Sequence, residues 1–371
     1  MPNNTNENTN SSAGRDDILN FIDEVEEEYE LSKSYRRTLA EKCGDFLAEW
    51  PLARLIGYFK EYIGGQDGAV TAFAMALREH LALTANPQLE LRKRNCLIYG
   101  PTGSGKTELL RVAARIVPVP VVIEDASTLT PTGFCGRNKQ DLLQNLFSRY
   151  GDDARYAIVF LDEFDKLCAS PDATVDAFRK STQHDLLKMV EGETLPNTRR
   201  GTLLSDAKEF CTDNMMFVCG GVFEGAFAAP APRRAIGFLA DFSVERGTDG
   251  SPERNVNEPL DTNEAISRLI EFGMLAEFAG RLNHVIHIRP LSEEDLYGIL
   301  TEKKNTALEN LRRTFRAAYG VELKFTARAL RTACRQAFRR RLGARGLSAL
   351  LDDAAHKALL GAAGDELVVD A

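Results

Sequence analysis

The stretch Gly100-Pro101-Thr102-Gly103-Ser104-Gly105-Lys106-Thr107 matches the phosphate-loop pattern G-x-x-x-x-G-K-[ST] in full. Residues 95–99, Asn-Cys-Leu-Ile-Tyr, are typical of a short buried strand, and residues 108–116 are typical of a helix. A strand before the loop and a helix after it are the context that the pattern requires, so we expect a phosphate-binding loop. The alternative is a glycine-rich turn that fits by chance, and the flanking elements disfavour it.

The chemistry of this loop predicts a nucleoside triphosphate. Glycines let the backbone curl so that successive N–H groups face a phosphate, and the following helix adds its positive N-terminal end. Lys106 would reach the β- and γ-phosphates, and the Thr107 hydroxyl would bind Mg²⁺. We therefore expect ATP and Mg²⁺ as cofactors.

Composition and charge narrow the class of protein. The chain has 371 residues, of which 44% are hydrophobic and 27% charged, as is ordinary for a soluble globular protein. Its net charge of −8 disfavours a dedicated nucleic-acid binder. The sequence has no long apolar run and no signal-peptide pattern, so we expect no membrane contact. Its 7 cysteines include no C-x-x-C pair, which indicates a reducing, cytoplasmic location and no zinc.

Strands and helices alternate along the middle of the chain. Continuous apolar strands separated by helices predict an α/β fold with a parallel sheet covered by helices on both faces. The expected strands are residues 95–99, 119–124, 157–161, 215–219 and 284–288. Ligands of such sheets bind at the carboxyl ends of the strands, which is where the phosphate loop lies.

The composition changes along the chain and predicts four segments. Residues 1–14 are rich in Asn, Thr and Ser and predict a disordered tail. Helical periodicity over residues 17–31 and 35–50 predicts a short N-terminal helical segment, which we bound at residues 15–60. Residues 61–290 would form the large α/β domain and residues 291–371 a small, mostly helical C-terminal domain.

Two carboxylates follow an apolar strand directly, about 55 residues after the phosphate loop. Asp162 would hold Mg²⁺, and Glu163 would orient and polarise the attacking water. The alternative is that both residues cap a helix that begins near Asp165. A complete phosphate loop upstream favours the catalytic interpretation.

Hydrolysis also requires positive charge at the γ-phosphate in the transition state. Arg281 lies just before the last strand, and Arg345 lies at the start of a helix in the C-terminal domain. From composition alone either one is an ordinary surface arginine, because the chain has many.

Together these motifs resemble those of the AAA+ ATPases of the ClpX and HslU type, and the similarity runs over residues 62–369. Residues 100–107 resemble the Walker A motif, and residues 160–166, Phe-Leu-Asp-Glu-Phe-Asp-Lys, resemble the Walker B motif. Residues 62–66, Tyr-Ile-Gly-Gly-Gln, resemble the segment that contacts adenine. Residues 277–282 resemble the box that carries the arginine finger, and residues 343–345 resemble the sensor-2 motif.

The resemblance implies a P-loop NTPase fold with a C-terminal lid and a site shared between subunits. It implies that Arg281 acts on the ATP of a neighbouring subunit and that Arg345 reports the nucleotide state to the lid. The first sensor is expected near residues 219–221, with no single residue assigned. The nucleotide-binding residues that it implies are Ile63, Gly64, Gly100, Pro101, Thr102, Gly103, Ser104, Gly105, Lys106, Thr107, Glu108 and Arg345.

Two further matches bear on the use of the ATP. Residues 133–136, Gly-Phe-Cys-Gly, resemble the aromatic pore loop, which implies that Phe134 and Cys135 grip a polypeptide. The alternative is a buried phenylalanine beside two turn glycines. Ile236, Gly237 and Phe238 match the tripeptide by which the family docks into the ClpP peptidase. Such a tripeptide is unremarkable by chance, and its place before the arginine-finger box gives it weight.

The chain also departs from the family pattern. No cysteine pair precedes Tyr62, so we expect no N-terminal zinc-binding module of the family type. The basic loop at the pore entrance is reduced to Arg199-Arg200, and Arg137 follows the aromatic loop where the family has acidic residues. Adaptor and substrate choice therefore cannot be carried over from the family.

Three functions remain open on the sequence. The leading one is an ATP-dependent unfoldase, a homo-oligomeric ring and by the resemblance a hexamer, that threads unfolded or tagged proteins to a ClpP-type peptidase. The second is an AAA+ ATPase that remodels a nucleoprotein or other complex, for which Arg335 and residues 339–341 form a basic patch. The third is a nucleotide-dependent scaffold without turnover, and the presence of Glu163 and Arg281 disfavours it.

Overall fold

A computed structural model of the protein describes residues 38–131, 133–134, 136–168, 173–195, 210–227, 261–360 and 366–370. The strands in these ranges are β1 (Asn95–Tyr99), β2 (Val121–Asp125), β3 (Ile158–Asp162), β4 (Thr194–Leu195), β5 (Phe210–Cys211), β6 (Met216–Gly221), β7 (Leu282–His287), β8 (Glu322–Phe325) and β9 (Glu366–Val369). The described α-helices are α1 (Leu39–Glu49), α2 (Leu52–Tyr62), α3 (Asp67–Ala85), α4 (Lys106–Ala113), α5 (Lys139–Tyr150), α6 (Ala173–Glu191), α7 (Thr262–Glu271), α8 (Ala276–Ala279), α9 (Glu293–Thr301), α10 (Ala307–Tyr319), α11 (Ala327–Arg339) and α12 (Gly343–Leu360).

Five strands form one parallel sheet in the order β2-β3-β6-β1-β7. Asp125 faces Asp162 across β2 and β3, and Tyr99 faces Gly221 and His287 on its two neighbours. The carboxyl ends of the strands therefore meet at one edge, as a parallel sheet requires. This confirms the predicted α/β fold, and the strand predicted over residues 95–99 has the predicted bounds.

Side-chain alternation along the strands builds two cores. On β1, Cys96 and Ile98 pack with α1, α2, α3 and α4, whereas Leu97 and Tyr99 pack with α5, α6, α7 and α8 on the other face. Every residue of β1 is buried. Because successive side chains of a strand point to opposite faces, a strand covered on both faces is apolar along most of its length, and in β1 only Asn95 at its start is polar.

The described part of the N-terminal segment packs on the sheet domain. α1 begins with a capping box between Thr38 and Glu41, and α2 begins after Pro51, which ends the preceding helical pattern. Phe46 of α1 and Phe59 of α2 belong to the same core as α3 and the sheet. The predicted helix over residues 17–31 lies outside the described residues.

His80 on α3 is a polar side chain buried within this core. Its Nε2 lies 2.7 Å from the carbonyl oxygen of Tyr156, just before β3, so the ring is the Nε2–H tautomer that donates to this oxygen. Burial lowers the pKa of His80 to about 4. The imidazole is therefore neutral in the folded protein at neutral pH.

The C-terminal residues build a third core of their own. Leu296, Phe315, Cys334 and Leu347 are among the buried side chains that α9, α10, α11 and α12 share. β8 and β9 add a small parallel pair that starts with Glu322 facing Glu366. Lys304 after α9 donates its backbone N–H to Glu61 at 2.8 Å, which ties this part to the end of α2.

Candidate ATP site

The phosphate loop joins β1 to α4 and has a backbone that only glycine accommodates. Gly103 has a φ of 73°, and a Cβ there would lie 2.8 Å from the carbonyl oxygen of Leu342. Gly100 has a φ of 152°, and a Cβ there would lie 2.1 Å from the carbonyl oxygen of Ile288. The loop therefore fits between β7 and the C-terminal domain only because these positions lack side chains.

Lys106 is the first residue of α4, and its side chain turns back over the loop. Nζ donates to the carbonyl oxygens of Gly100 at 2.7 Å and Pro101 at 2.8 Å. The Ser104 hydroxyl donates to Pro101 as well, at 2.6 Å. Burial lowers the pKa of Lys106, whereas Asp162 and Asp165 nearby act to raise it. The structure thus places a cation within the curl of the loop, where a phosphate would sit.

Thr107 and Asp162 meet across the ends of α4 and β3. The Thr107 hydroxyl donates to Oδ2 of Asp162 at 2.7 Å. A hydroxyl and a carboxylate oxygen in contact fit Mg²⁺, which is bound by one or two protein oxygens, water and substrate phosphates. No cluster of three or more His, Cys, Asp or Glu side chains suited to a metal occurs in the described ranges, so phosphate oxygens and water would complete the shell.

Glu163 follows Asp162 in the left-handed region, with a φ of 56°. A short 3₁₀-helix (Phe164–Leu167) begins after it, and the Glu163 side chain makes no capping hydrogen bond to that helix. Its carboxylate is half-exposed and contacts Nζ of Lys166. Capping therefore does not account for Glu163, and a residue other than glycine in this conformation is typical of functional sites.

Asp165 has a role that sequence reasoning missed. Its half-buried carboxylate accepts the backbone N–H groups of Val222 and Phe223 just after β6, and burial raises its pKa. Gly221 has no room for a side chain, since a Cβ there would lie 2.6 Å from Oδ1 of Asp165. The backbone just after the region predicted to hold the first sensor is therefore held by Asp165. The position of Asp165, three residues after the end of β3, is the signal that could have found it.

Gln66 is the last residue of the predicted adenine segment, but the sequence did not indicate a role for its side chain. It is 4% exposed, and its amide donates to the carbonyl oxygen of Arg289 at 2.9 Å while its Oε1 accepts the N–H of Arg289 at 3.1 Å. Gly64, two residues earlier, has no room for a Cβ, which would lie 2.7 Å from Ile299 of α9. The segment that includes Ile63 and Gly64 thus lies between the phosphate-loop domain and the C-terminal domain.

The start of α12 touches the phosphate loop. Ala344 donates its N–H to the carbonyl oxygen of Gly103 at 2.9 Å. Gly343 has a φ of 60°, and a Cβ there would lie 2.7 Å from the same oxygen. Arg345 follows directly, and its positive charge acts to lower the pKa of Lys106. The C-terminal domain therefore brings a second cation to the loop.

Arg281 lies at the other end of the sheet. Its carbonyl oxygen accepts from the side chain of Asn95 at 3.1 Å, at the start of β1. At roughly 3.3 Å per residue β7 is about 16 Å long, and this length separates Arg281 from the phosphate loop of its own chain. The half-exposed guanidinium donates to Glu191 from Nη2 at 2.6 Å and from Nε at 3.1 Å. Lys106, Thr107, Asp162, Glu163 and Arg345 come together, whereas Arg281 does not join them.

Comparison with known proteins is in accord with this geometry. A family model described as "AAA domain (Cdc48 subfamily)" matches residues 91–285. The chain is 32% identical over 311 residues to "ATP-dependent Clp protease ATP-binding subunit ClpX" of Treponema denticola, an alignment that covers 80% of this chain and 73% of that protein. The chain belongs to the ClpX family of AAA+ ATPases. The predicted resemblance and the predicted ATPase activity are both confirmed.

Two more relatives carry the ClpX name. The protein from Azotobacter vinelandii is 33% identical over 320 residues, which cover 80% of this chain and 71% of the relative. "ATP-dependent Clp protease ATP-binding subunit ClpX 2" of Wolinella succinogenes is 30% identical over 308 residues, which cover 80% of this chain and 74% of the relative.

No helix in the described ranges has both the length and the hydropathy to cross a membrane.

The aromatic side chain of the predicted pore loop is exposed in this ClpX-family chain. Phe134 is 60% exposed and meets the ring of Phe178 of α6 edge-on, with centroids 5.4 Å apart. Thr130 donates its N–H to the carbonyl oxygen of Arg137 at 2.8 Å, which closes the base of the loop. The alternative of a buried phenylalanine is therefore wrong.

Of the remaining predicted residues, Glu108 is described by the structure and the others are not. Glu108 lies in the first turn of α4 and forms ion pairs with Arg111 and Arg115 of the same segment, at 3.7 and 3.3 Å. Cys135 and the tripeptide Ile236, Gly237 and Phe238 lie outside the described residues, as do Arg199 and Arg200.

Proposed function

We propose that the chain is the ATP-binding subunit of a Clp-type protease. In this proposal it assembles into a ring, as a hexamer, hydrolyses ATP between neighbouring copies and threads unfolded or tagged polypeptide to a ClpP-type peptidase. The observation that carries the proposal is the exposed Phe134 at the tip of a loop with a fixed base. The printed names of the three relatives support the peptidase partner.

The arrangement of charges supports hydrolysis between subunits. Lys106 and Arg345 would neutralise the phosphates from within one chain, with Mg²⁺ on Thr107 and Asp162. Glu163 would orient the attacking water, and Ile63 and Gly64 would face the adenine. Arg281 is too far from this site and is half-exposed, so it would supply the transition-state charge to a neighbouring copy. A head-to-tail contact of this kind closes into a ring.

The geometry of the aromatic loop supports gripping of polypeptide. Gly133 and Gly136 both have positive φ values, 97° and 137°, so the turn on each side of Phe134 depends on glycine. Arg137 at the loop base donates from Nη2 to Oε1 of Glu124 at 2.8 Å, which joins the loop to the end of β2. An aromatic ring on a supported loop can hold any extended chain through apolar contact, without sequence preference.

Nucleic acid is the less favoured substrate. Of the predicted basic patch, Arg335 forms an ion pair with Glu293 at 3.4 Å, and its neighbour Arg331 pairs with Glu294 at 3.2 Å. These acidic partners weaken the local positive field that phosphate binding requires.

We further propose that the protein lies in the cytoplasm. The six cysteines in the described part of the chain are all free thiols, as is usual in a reducing compartment.

Three proteins test the proposal against one fluorescent, degradation-tagged substrate, with and without a ClpP-type peptidase. We expect Phe134→Ala to retain ATPase activity and lose both unfolding and degradation. We expect Phe238→Ala to retain unfolding and lose degradation, because it would remove only the peptidase contact. Val175→Ala, an exposed apolar residue of α6, is the matched control. Normal unfolding by Phe134→Ala would refute the gripping loop, and normal degradation by Phe238→Ala would refute the docking tripeptide.

A further inference from the structure

Two ion pairs joined by a short turn lead from Arg281 to the start of α5, which follows the base of the Phe134 loop. The first is the ion pair between Arg281 and Glu191, in which Nη2 and Nε both donate to Oε1, at 2.6 and 3.1 Å. Glu191 is the last residue of α6. Movement of the Arg281 guanidinium therefore acts directly on the end of this helix.

The residues that follow α6 are held tightly. Gly192 has a φ of 125°, and a Cβ there would lie 1.9 Å from Oδ1 of Asp213. Glu193 donates its N–H to the Thr212 hydroxyl at 2.8 Å and accepts the N–H of Thr212 at 3.1 Å. That hydroxyl donates in turn to the carbonyl oxygen of Met189 at 2.8 Å, and Thr212 is fully buried. The turn from Glu191 to Glu193 is thus a rigid unit.

The second ion pair joins this turn to the start of α5, two residues after Arg137 at the base of the aromatic loop. Lys139 Nζ donates to both carboxylate oxygens of Glu193, at 2.8 and 2.6 Å, and the Lys139 side chain is only 4% exposed. Lys139 is the first residue of α5, and a capping box between Asn138 and Asp141 fixes the start of that helix. A charge is buried at a cost unless it is well paired, so this pair holds its two elements in one relative position.

We propose that the Lys139–Glu193 ion pair couples the position of Arg281 to the position of the Phe134 loop. The inference rests on the proposed function, because it needs Arg281 to contact the ATP of a neighbouring copy. When Arg281 engages that ATP it exchanges Glu191 for phosphate oxygens, and the rigid turn transmits the change to the start of α5. Lys139, Glu191 and Glu193 are positioning residues in this proposal, since none of them belongs to the candidate ATP site.

A coupling role and a purely structural role for the Lys139–Glu193 pair differ in a measurable way. Residues along a contiguous hydrogen-bonded path can change the coupling between two sites without contacting either ligand. A purely structural anchor would stabilise the loop equally with and without ATP. A coupling element instead changes how far the loop responds when ATP binds, and this difference can be measured without any protein substrate.

A tryptophan in the loop reports this response. Trp50 is the only tryptophan, so Trp50→Phe with Phe134→Trp yields a single reporter. Glu163→Gln is added so that bound ATP persists. We expect ATP to change the tryptophan emission of this parent protein. We expect Lys139→Met and Glu191→Gln each to reduce that change in emission by at least about fivefold, a factor taken from the lower limit of typical allosteric coupling. Asp176→Asn breaks an i,i+4 ion pair on α6 and is the matched control, with the response retained.

The outcomes separate this inference from the proposed function. Lys139→Met leaves Glu193 without its partner, at a stability cost that the 23% exposure of the Glu193 side chain reduces. Glu191→Gln alters a half-exposed pair at little cost to the fold, and it tests the same path from its other end. A full response in either variant, or no response in the parent, overturns the inference. Failure of the wild-type chain to unfold any substrate would overturn the proposed threading alone, because the reporter requires no substrate.

Discussion

Removal of the Arg281 guanidinium should abolish turnover in every site of a uniform ring. An arginine that stabilises the transferring phosphoryl group contributes about 10³- to 10⁵-fold in rate. At 1.36 kcal/mol for each factor of ten, this corresponds to ~4–7 kcal/mol of the activation barrier. The Arg281–Glu191 pair is half-exposed, so its loss should cost little stability, ~0–1 kcal/mol. Arg281→Ala should therefore fold and bind ATP normally and hydrolyse it at least about 10³-fold more slowly.

The position of Arg281 makes a stronger prediction for mixed rings. Since β7 separates Arg281 from its own phosphate loop by about 16 Å, the proposed function requires the cation to come from a neighbouring copy. Arg281→Ala subunits keep an intact site, and Glu163→Gln subunits keep an intact arginine. In an equal, randomly assorted mixture, about one quarter of the head-to-tail contacts pair an intact site with an intact arginine. The mixture should therefore recover about one quarter of the wild-type rate per subunit, although neither variant alone is active.

Steady-state phosphate release checks this prediction across mixing ratios at constant total protein. We expect no activity at either end of the series and a maximum at equal amounts. Arg268→Ala removes an arginine that pairs with Glu264 within α7, at 2.9 Å, and is the control that should leave turnover unchanged. A flat series, or an Arg281→Ala protein with turnover near wild type, would show that Arg281 does not act between subunits.

Two further predictions concern the nucleotide loop and the core. Lys106→Ala removes a charge-assisted phosphate contact worth about 3 kcal/mol, so the affinity for ATP should fall about 100-fold. Titration with a fluorescent ATP analogue measures this affinity, and an unchanged Kd would contradict the role of Lys106 in phosphate binding. His80 is buried and neutral with a pKa of about 4, whereas its pKa is near 6.5 in the unfolded chain. Between these two pKa values the unfolded state binds more protons than the folded state. The free energy of unfolding is therefore highest above pH 6.5 and falls by about 3 kcal/mol as the pH falls towards 4. Urea unfolding at several pH values measures this loss, which His80→Gln should largely remove; the same slope in His80→Gln would assign it to other groups.

Much of the nucleotide site was predictable from local pattern. The motif over residues 100–107 depends on glycines, a lysine and a threonine at fixed spacing, because neighbouring backbone N–H groups bind the phosphate. Asp162 and Glu163 were predictable for the same reason, since they follow a continuous apolar strand. A site built from residues adjacent in the sequence forms wherever the chain places a strand, a loop and a helix in that order, so it can be predicted without the rest of the fold.

Contacts between distant segments were not predictable in the same way. Gln66 and Arg289 are 223 residues apart, and Glu193 and Lys139 are 54 residues apart, yet each pair forms two hydrogen bonds. No periodicity marks such residues, because their partners are set by how helices and strands pack. Asp165 was visible in the Walker B stretch, but its role required the position of the end of β6.

The sequence by itself therefore determined that the chain binds a nucleoside triphosphate on a parallel α/β sheet, since that information is carried by residues adjacent in the chain. Only the tertiary structure shows which of the predicted residues lie near one another. It placed Arg345 beside Lys106 through the contact of α12 with Gly103, and it placed Arg281 at the far end of β7. The reason is that strand order and domain packing, which bring remote side chains together or hold them apart, are settled by burial of the cores as a whole.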